Sequence, residues 1–568
     1  MLELFDMWAL VEVIGLLCLP LTLIVFRHLP DRGWAFSKSL GVTIFSFAIW
    51  LPLMCLHELP YSQAFLWGTA LLLLMVSLVG FWLTRATLKS FLRDKLAYLL
   101  LTEGIFLVMV ALLGFLRQFR PDIRSWEGLM DEGILAGIMR SPHFPPNDVW
   151  YSGYAINYYY YAHFVAATLG KMLGQSPSIV FNTGISLFFG LTAVNLFGLS
   201  TNIVACAKRA LLHSKANRSP VSQPVPEKTS IFTGASLLQA APFGLCSLAM
   251  GVLFGNCASA NQWWIDTKTN FGVYEWFSPS RVIPATINEF PAFSFLLSDF
   301  HAHVLTLAFT VLAMGVAFNL FIGKRAPGIK VFGSGWHLPL TLLASALVLG
   351  QLFVMNGWDY PTYLALALVC LALQQWLAHG SRFSLDLVLD VFMAGAALGA
   401  LSYLLFLPFY LSFSSPAQGL GLVNAQSRSS LSDEFWIFGL FVFIFVSFLL
   451  VCVFHPRSLP ARTTSTDPHL ALDPHLALST RLAKEEESKV GKSRLVAGVG
   501  RFNGRLIAVV TILLIALLMT LIFKNTVTLI VAGGLDAIAA ILVLYHLRDR
   551  ARAFVLLLGA VALALIAF

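Results

Sequence analysis

The chain has 568 residues, of which 58% are hydrophobic and only 12% charged, and its mean hydropathy is +0.78. A soluble domain carries about 25% charged residues, so a string of water-soluble domains is excluded and an all-α, polytopic membrane protein is indicated. The formal net charge of +8 does not point to nucleic acid, because the basic residues sit in short loops between apolar runs, where membrane orientation requires them.

A crossing helix needs roughly 20 mainly apolar residues. Such runs lie at 5–27, 38–56, 62–84, 97–116, 177–205, 231–254, 302–322, 336–356, 360–379, 386–411, 433–455, 505–523, 526–545 and 552–568. Together with the ambiguous segment 155–173 they predict about 13–15 transmembrane helices. The first run shows no cleavage pattern and is long enough to remain as an anchor. Cysteines 18, 55, 206, 246, 257, 370 and 452 are scattered without metal-binding spacing and read as small buried hydrophobes.

Basic segments Arg27–Lys38, Arg85–Lys95, Lys208–Lys228, Lys324–Lys330, Arg457–Arg505 and Arg548–Arg552 are assigned to the cytoplasm. The loops near 57–61, 117–154, 255–290, 357–361 and 412–432 then face outward. An odd number of crossings must separate 117–154 from 208–228. Either 155–173 is re-entrant or interfacial, or 155–205 holds three short helices. The order of runs suggests a three-helix extension at 1–96, a membrane core at 97–455, a flexible cytoplasmic linker at 456–504 and a three-helix tail at 505–568. The linker repeats DPHLAL; its His469 and His475 read as part of a duplicated linker hexamer.

Ionisable residues in a membrane protein are costly and call for a reason. Four polar clusters fall on the outward side. The loop 117–154 holds Glu127, Asp131, Glu132, His143 and Asp148. On a helix Glu127 and Asp131 share a face, which suits a general base or a cation site; a solvated loop helix is the other reading. Next come Asn157, Tyr158, Tyr159, Tyr160, Tyr161 and His163. Tyrosines belong at membrane interfaces, but four in a row cannot all face lipid on a helix, and those turned inward need hydroxyl partners. The third cluster has Arg281, Glu289, and the D-x-H-x-H of Asp299, His301 and His303. On a strand those three would point one way; on a helix His301 would diverge. Carboxylate and imidazole both ligate divalent ions. The last is Asn356 with Asp359, where Asp359 would cap the following helix or border the site.

These residues carry a resemblance. E-x-x-M-D (Glu127 to Asp131), FPPxDxW (Phe144 to Trp150), INYYY (Ile156 to Tyr160) with His163, SR-x-I (Ser280 to Ile283), EFPxFSF (Glu289 to Phe295), D-x-H-x-H and N-x-WDYPTY (Asn356 to Tyr363), in this order over about 97–455, resemble an uncharacterised YYY-motif membrane family of archaea and chloroflexi-type bacteria. Ala302 stands where that family's pattern has a proline between the histidines. The family is in turn similar to the C-class glycosyltransferases, which include protein mannosyltransferases and lipid A aminoarabinose transferases. In those enzymes an Asp-Glu pair follows a transmembrane helix in the first large outer loop, as Asp131-Glu132 does here.

The resemblance implies transfer of a sugar from a polyprenyl-phosphate donor to a glycan, lipid or protein acceptor, on the extracytoplasmic face of the plasma membrane. Asp131 would be the general base, with Glu127 and Glu132 holding the acceptor or a cation. Arg281, His163 or a divalent ion (Mg2+ or Mn2+) on Asp299, His301 and His303 would stabilise the leaving phosphate. His143, Asp148, Asn157, Tyr158, Tyr159, Tyr160, Glu289, Asn356 and Asp359 would bind substrate. A transporter or lipid flippase is the alternative, although the polar motifs gather at one face instead of the midplane and no inverted repeat is visible.

Overall fold

The computed structural model describes residues 1–124, 127–216, 232–269, 273–415, 429–454, 512 and 527–567. The linker 456–504 with its histidines, and nearly all of the expected span 505–523, lie outside the described residues. The chain divides into two compact units: Met1–Arg209 with Pro226–Gly421, and Ala210–Val225 with Leu422–Phe568. Described elements are helical throughout, apart from one isolated bridge between Asn147 and Ala155. Among the described residues eight helices are long and apolar enough to cross a membrane, and up to ten if each of two bent pairs counts as one span.

The first apolar run is one of those pairs. Helices α1 (Leu2–Leu17) and α2 (Leu19–Val25) meet at 57°, where Pro20 removes a backbone donor. After α3 (Ser37–Cys55) comes α4 (Gln63–Gln118), a single 56-residue helix begun by the Ser62 hydroxyl, which accepts from Phe65 N. The expected spans 62–84 and 97–116 are therefore joined by helix, not by a loop. That helix cannot be straight. Leu17 O accepts from Ser77 Oγ at 2.6 Å, while Leu4 packs on Gly114. Those partners lie about 20 Å apart along α1 but would be about 55 Å apart along a straight α4. Both ends of α4 are also tied to one short segment: Gln63 donates to Lys171 O at 2.8 Å and Arg117 to Asn182 Oδ1 at 2.6 Å. So α4 folds back at its basic middle and carries two passes.

Helices α5 (Gly128–Arg140) and α6 (Tyr161–Met172) follow. At 12 residues α6 is about 18 Å long, short of the roughly 30 Å hydrocarbon core. Its far end returns to the side it came from: Lys171 Nζ donates to Met139 O at 2.8 Å and lies 4.1 Å from the Tyr61 ring centroid. Segment 155–173 thus holds one short buried helix that does not span, and α7 (Pro177–Ala216) is the long apolar helix that follows. This supports the re-entrant or interfacial alternative over three short helices.

The expected span 231–254 is also broken. Helix α8 (Gly234–Leu238), helix α9 (Ala241–Leu248) and a π turn to Leu253 lead into α10 (Cys257–Thr269), with a 68° bend between Ala241–Leu253 and α10. Short α11 (Pro291–Leu297) precedes the spans α12 (Ala302–Ile322), α13 (His337–Met355), α14 (Asp359–Ala378) and α15 (Leu385–Leu404), then short α16 (Leu407–Ser412). The apolar windows of α7 and α12 are each 83% buried, against 22% for α15, so α7 and α12 form the centre and α15 the rim of this unit. Asn195 of α7 joins that centre, donating to Ser39 Oγ and Ala308 O at 2.8 and 2.7 Å; such amides bind helices where water is absent. Gly350 lets α13 approach the Ser402 carbonyl of α15, where a Cβ would come within 2.2 Å. The second unit is described by α17 (Leu431–Phe454), α18 (Val527–His546) and α19 (Arg550–Ala567), with Phe445 packed on Gly559. The cysteines are not uniformly buried: Cys55 and Cys246 are exposed on the protein surface.

In a cysteine-depleted background, Glu58→Cys and Arg120→Cys should react with an impermeant maleimide from one side of sealed vesicles, and Ser90→Cys only from the other. Labelling of all three from the same side would rule out the folded-back α4.

Candidate functional site

The third and first sequence clusters meet, and Tyr158 and His163 of the second join them. Ser298 ends α11 in the left-handed region (φ 63) and turns the chain, with Asp299 N donating to Ser294 O. Asp299 and Phe300 are outside any regular element, His301 is extended (φ −76, ψ 153), and α12 starts at Ala302. The D-x-H-x-H is therefore neither strand nor helix. An extended step followed by a helical step converges all three side chains, whose candidate ligand atoms lie within 4.8 Å of one another. His303 Nε2 is 3.6 Å and His301 Nδ1 4.0 Å from the Asp299 carboxylate.

Glu127 enters from the start of α5. Its Oε2 lies 2.6 Å from His301 Nδ1, and the Tyr158 hydroxyl is 2.5 Å from His301 Nε2. A neutral imidazole satisfies both contacts when Nδ1–H donates to the carboxylate and Nε2 accepts from the phenol. The result is a continuous path from Tyr158 through His301 to Glu127. One turn along α5, the Asp131 carboxylate is fully buried 3.5 Å from His163 Nε2, itself fully buried on α6. Phe300, between Asp299 and His301, closes the floor: its ring lies 5.6 Å from His163 and 4.8 Å from Phe181. Glu289 completes the group, held by Arg281 Nη2 at 3.1 Å and Ser294 Oγ at 3.2 Å. Arg281 in turn donates to Ser280 Oγ and O.

The electrostatics follow from this crowding. Burial, then the negative charges of Asp131, Glu289 and Glu127, push the Asp299 carboxyl up to about 8. Burial and the carboxylates of Asp131, Glu127 and Asp299 likewise raise the Tyr158 phenol. Arg281 is the one guanidinium ion-paired with this group among the described residues. The cluster is short of positive charge, which a divalent cation would supply. Asp299, His303 and, once its Nδ1 proton is released, His301 could supply its donors, and Glu127, on that same nitrogen, lies close enough to add a fourth. Two imidazoles with carboxylates suit Mn2+ or Zn2+ better than Mg2+.

Other sequence candidates lie elsewhere. Glu132 points away from Asp131 and lines a separate cavity of about 540 Å3 with Arg117 and Asn182. His143 is exposed, and Asp148 caps its own turn by accepting from Trp150 N and Tyr151 N. Asn157 clasps the Ser414 backbone through both amide atoms. Tyr159 packs on Phe353 and Phe413, and buried Tyr160 accepts from Trp50 Nε1. Of the four tyrosines only Tyr158 bonds to the cluster. Asp359 occupies the first turn of α14 without capping it and accepts from Asn356 Nδ2 at 2.9 Å. Ser280 and Ser294 fall inside the SR-x-I and EFPxFSF motifs but were given no role there, and Phe300 was not singled out; only its position beside Asp299 could have signalled it.

The family described as uncharacterized membrane protein (DUF2298) matches residues 44–568. No curated protein and no solved structure matches the chain.

The buried Asp131–His163 pair should couple energetically. His163→Ala leaves a carboxylate buried without its imidazole and should cost about 3 kcal/mol. Combining it with Asp131→Asn should cost at least about 1 kcal/mol less than the two single losses added. Unfolding of the purified protein in detergent measures this, and additive losses would show that the pair does not interact.

Proposed function

We propose, on the premise that the chain belongs to the uncharacterized membrane protein family DUF2298, that it is a membrane glycosyltransferase acting on a lipid-phosphate sugar. The observation that carries this reading is the convergence of Asp299, His301 and His303 with Glu127, at a point where helix gives way to irregular backbone. The donor is a polyprenyl-phosphate sugar with its lipid in the bilayer, and the acceptor is a hydroxyl of a glycan, lipid or protein. The positive-inside distribution of lysine and arginine supports an extracytoplasmic position for this end of the molecule, and the plasma membrane is the proposed location.

In the reaction the acceptor oxygen attacks the anomeric carbon and a carboxylate removes its proton. The bond from that carbon to the phosphate oxygen breaks, and the lipid phosphate leaves with the electron pair. Asp299, His301 and His303 would hold a divalent ion, which would supply positive charge to the leaving phosphate. Glu127, half exposed and in contact with His301, is a base that an incoming hydroxyl can reach. The resemblance implies that role for Asp131, but it is fully buried and faces His163 at 3.5 Å, out of an incoming hydroxyl's reach. Arg281, already holding Glu289, adds positive charge at the rim.

The bent pairs α1–α2 and α9–α10 and the buried Lys38 paired with Glu12 and Glu103 favour a transporter or flippase, since transport helices are often broken and carry intramembrane charge. The convergence of Glu127, Asp131, Glu289 and Asp299 with three imidazoles at one end favours the enzyme.

Glycan and glycolipid profiles of cells lacking the protein should miss a sugar that wild type restores. Glu127→Gln and Asp299→Asn should each restore less than about 1% of it, a loss typical when a metal ligand or general base is removed, while His143→Ala restores it fully. Equilibrium dialysis should find one Mn2+ or Zn2+ per wild-type chain and none on Asp299→Asn. An unchanged profile in the null cells, with lipid or solute flux dependent on the protein, would replace the transferase by a transporter.

A further inference from the structure

The opposite end of the same unit holds a cavity of about 570 Å3 walled by Arg27, Arg32, Lys324 and Lys330, with His28 and His337 beside them. Among the described residues no carboxylate lines it. Two acids on adjoining elements are committed elsewhere. Asp31 is buried and accepts from Gly33 N, Ala35 N and the Tyr98 hydroxyl; Asp390 binds His379 at 2.9 Å. Like charges gathered without counter-charge repel one another, so this cavity is built for an anion.

Its parts differ in role. The Arg27 guanidinium is fixed by Thr341 Oγ, Phe332 O and Ile24 O and forms a rigid wall. Among the described residues the side chains of Arg32, Lys324 and Lys330 have no hydrogen-bond or ion-pair partner and can close on a ligand. Thr84, Thr87 and Ser334 add hydroxyls, and Leu23, Ile24 and Val331 add an apolar side. The cavity lies at a membrane boundary: α2 and α12 end there and α13 begins there. Trp336, 85% exposed, and Trp82, 63% exposed with Arg85 over its ring, mark the same level, since tryptophan collects at headgroup depth.

We propose that this cavity binds a phosphate group, and that its source is the headgroup of an anionic phospholipid whose acyl chains lie along α2 and α4. Basic pockets between membrane helices bind such headgroups. This site is separate from the acidic cluster and stands whatever reaction that cluster performs.

The test uses the full-length protein purified in neutral detergent. Thermal unfolding is followed with phosphatidylglycerol or phosphatidylcholine added at equal mole fraction, and with sodium phosphate against sodium chloride at equal ionic strength. Phosphatidylglycerol should raise Tm by about 3 °C or more and phosphatidylcholine should not. The triple variant Arg32→Gln/Lys324→Gln/Lys330→Gln should keep the lipid-free Tm and lose the shift, with affinity reduced at least about tenfold. Lys324→Arg/Lys330→Arg should retain the shift, which separates lost charge from lost folding. A shift from sodium phosphate alone would keep the phosphate site but make its ligand a soluble phospho-compound. No shift from either source, or a phosphatidylglycerol shift undiminished in the triple variant and in native mass spectra of bound lipid, would overturn the proposal.

Discussion

Four carboxylates from three separate stretches of chain converge, Asp131, Glu289 and Asp299 largely shielded from water and Glu127 half exposed, and their repulsion is the constraint around which the unit is organised. Two unit charges 4 Å apart repel by about 4 kcal/mol at an effective dielectric of 20, a large part of a typical domain's stability. Each member therefore comes with a remedy: Arg281 on Glu289, His163 beside Asp131, His301 on Glu127, and for Asp299 a pKa displaced to about 8. The remedies work only if the irregular segments stay in register. That explains the number of side chains spent on loop backbone: Asp148 on its own turn, Asn157 on Ser414, Asp266 on Glu275 N, and Glu275 on Phe277 N and Ser278 N. None of these touches the cluster, yet each fixes a segment that supplies part of it.

The membrane tightens the same constraint. Non-helical backbone at membrane depth is tolerated only where protein or a wet cavity surrounds it. Helix α6 meets that condition by lying almost wholly within protein. Beneath it Trp50, Tyr161 and Phe406 pack edge to face, and Phe300 seals against Phe181. The aromatic residues so dense in this stretch thus serve two purposes, closing the apolar side and presenting one phenol, that of Tyr158, to the polar side.

What could be read from the sequence divides along physical lines. Apolar run length depends on local composition, so the membrane class and most spans were legible before any coordinates. The basic middle of α4 was legible as a turning point but not as helix, since lysine and arginine are good helix formers and nothing in the sequence compels a loop. The failure of 155–173 to span was undecidable from hydropathy, because Asn157, His163 and Lys171 are costly in lipid but harmless once surrounded by protein. At the site, spacing announced Asp299, His301 and His303. It could not show that Glu127, more than 170 residues earlier, reaches His301, because that contact depends on the turn at Ser298 and on how α5 packs against α6. Nor could it separate Asp131 from Glu132: adjacent residues on a helix point about 100° apart, and only packing decides which one turns inward.

The two polar ends of the unit pose opposite problems for one kind of ligand. A phosphate approaching the basic cavity meets fixed cations and needs no intermediary. A phosphate approaching the acidic cluster meets carboxylates, and it can be held there only after their charge has been offset by protons or by a cation. If that cluster receives a lipid-phosphate donor, occupancy by a divalent ion is a condition of binding as well as of chemistry, since the ion must reverse the sign of the local field before the donor can enter. Metal loss should then weaken donor binding together with turnover, whereas a group acting only on the acceptor's proton would leave donor binding intact. This difference would separate Asp299, a proposed ligand of the ion, from Glu127, whose loss spares donor binding if it serves as the base and weakens it if it joins the ion as a fourth ligand.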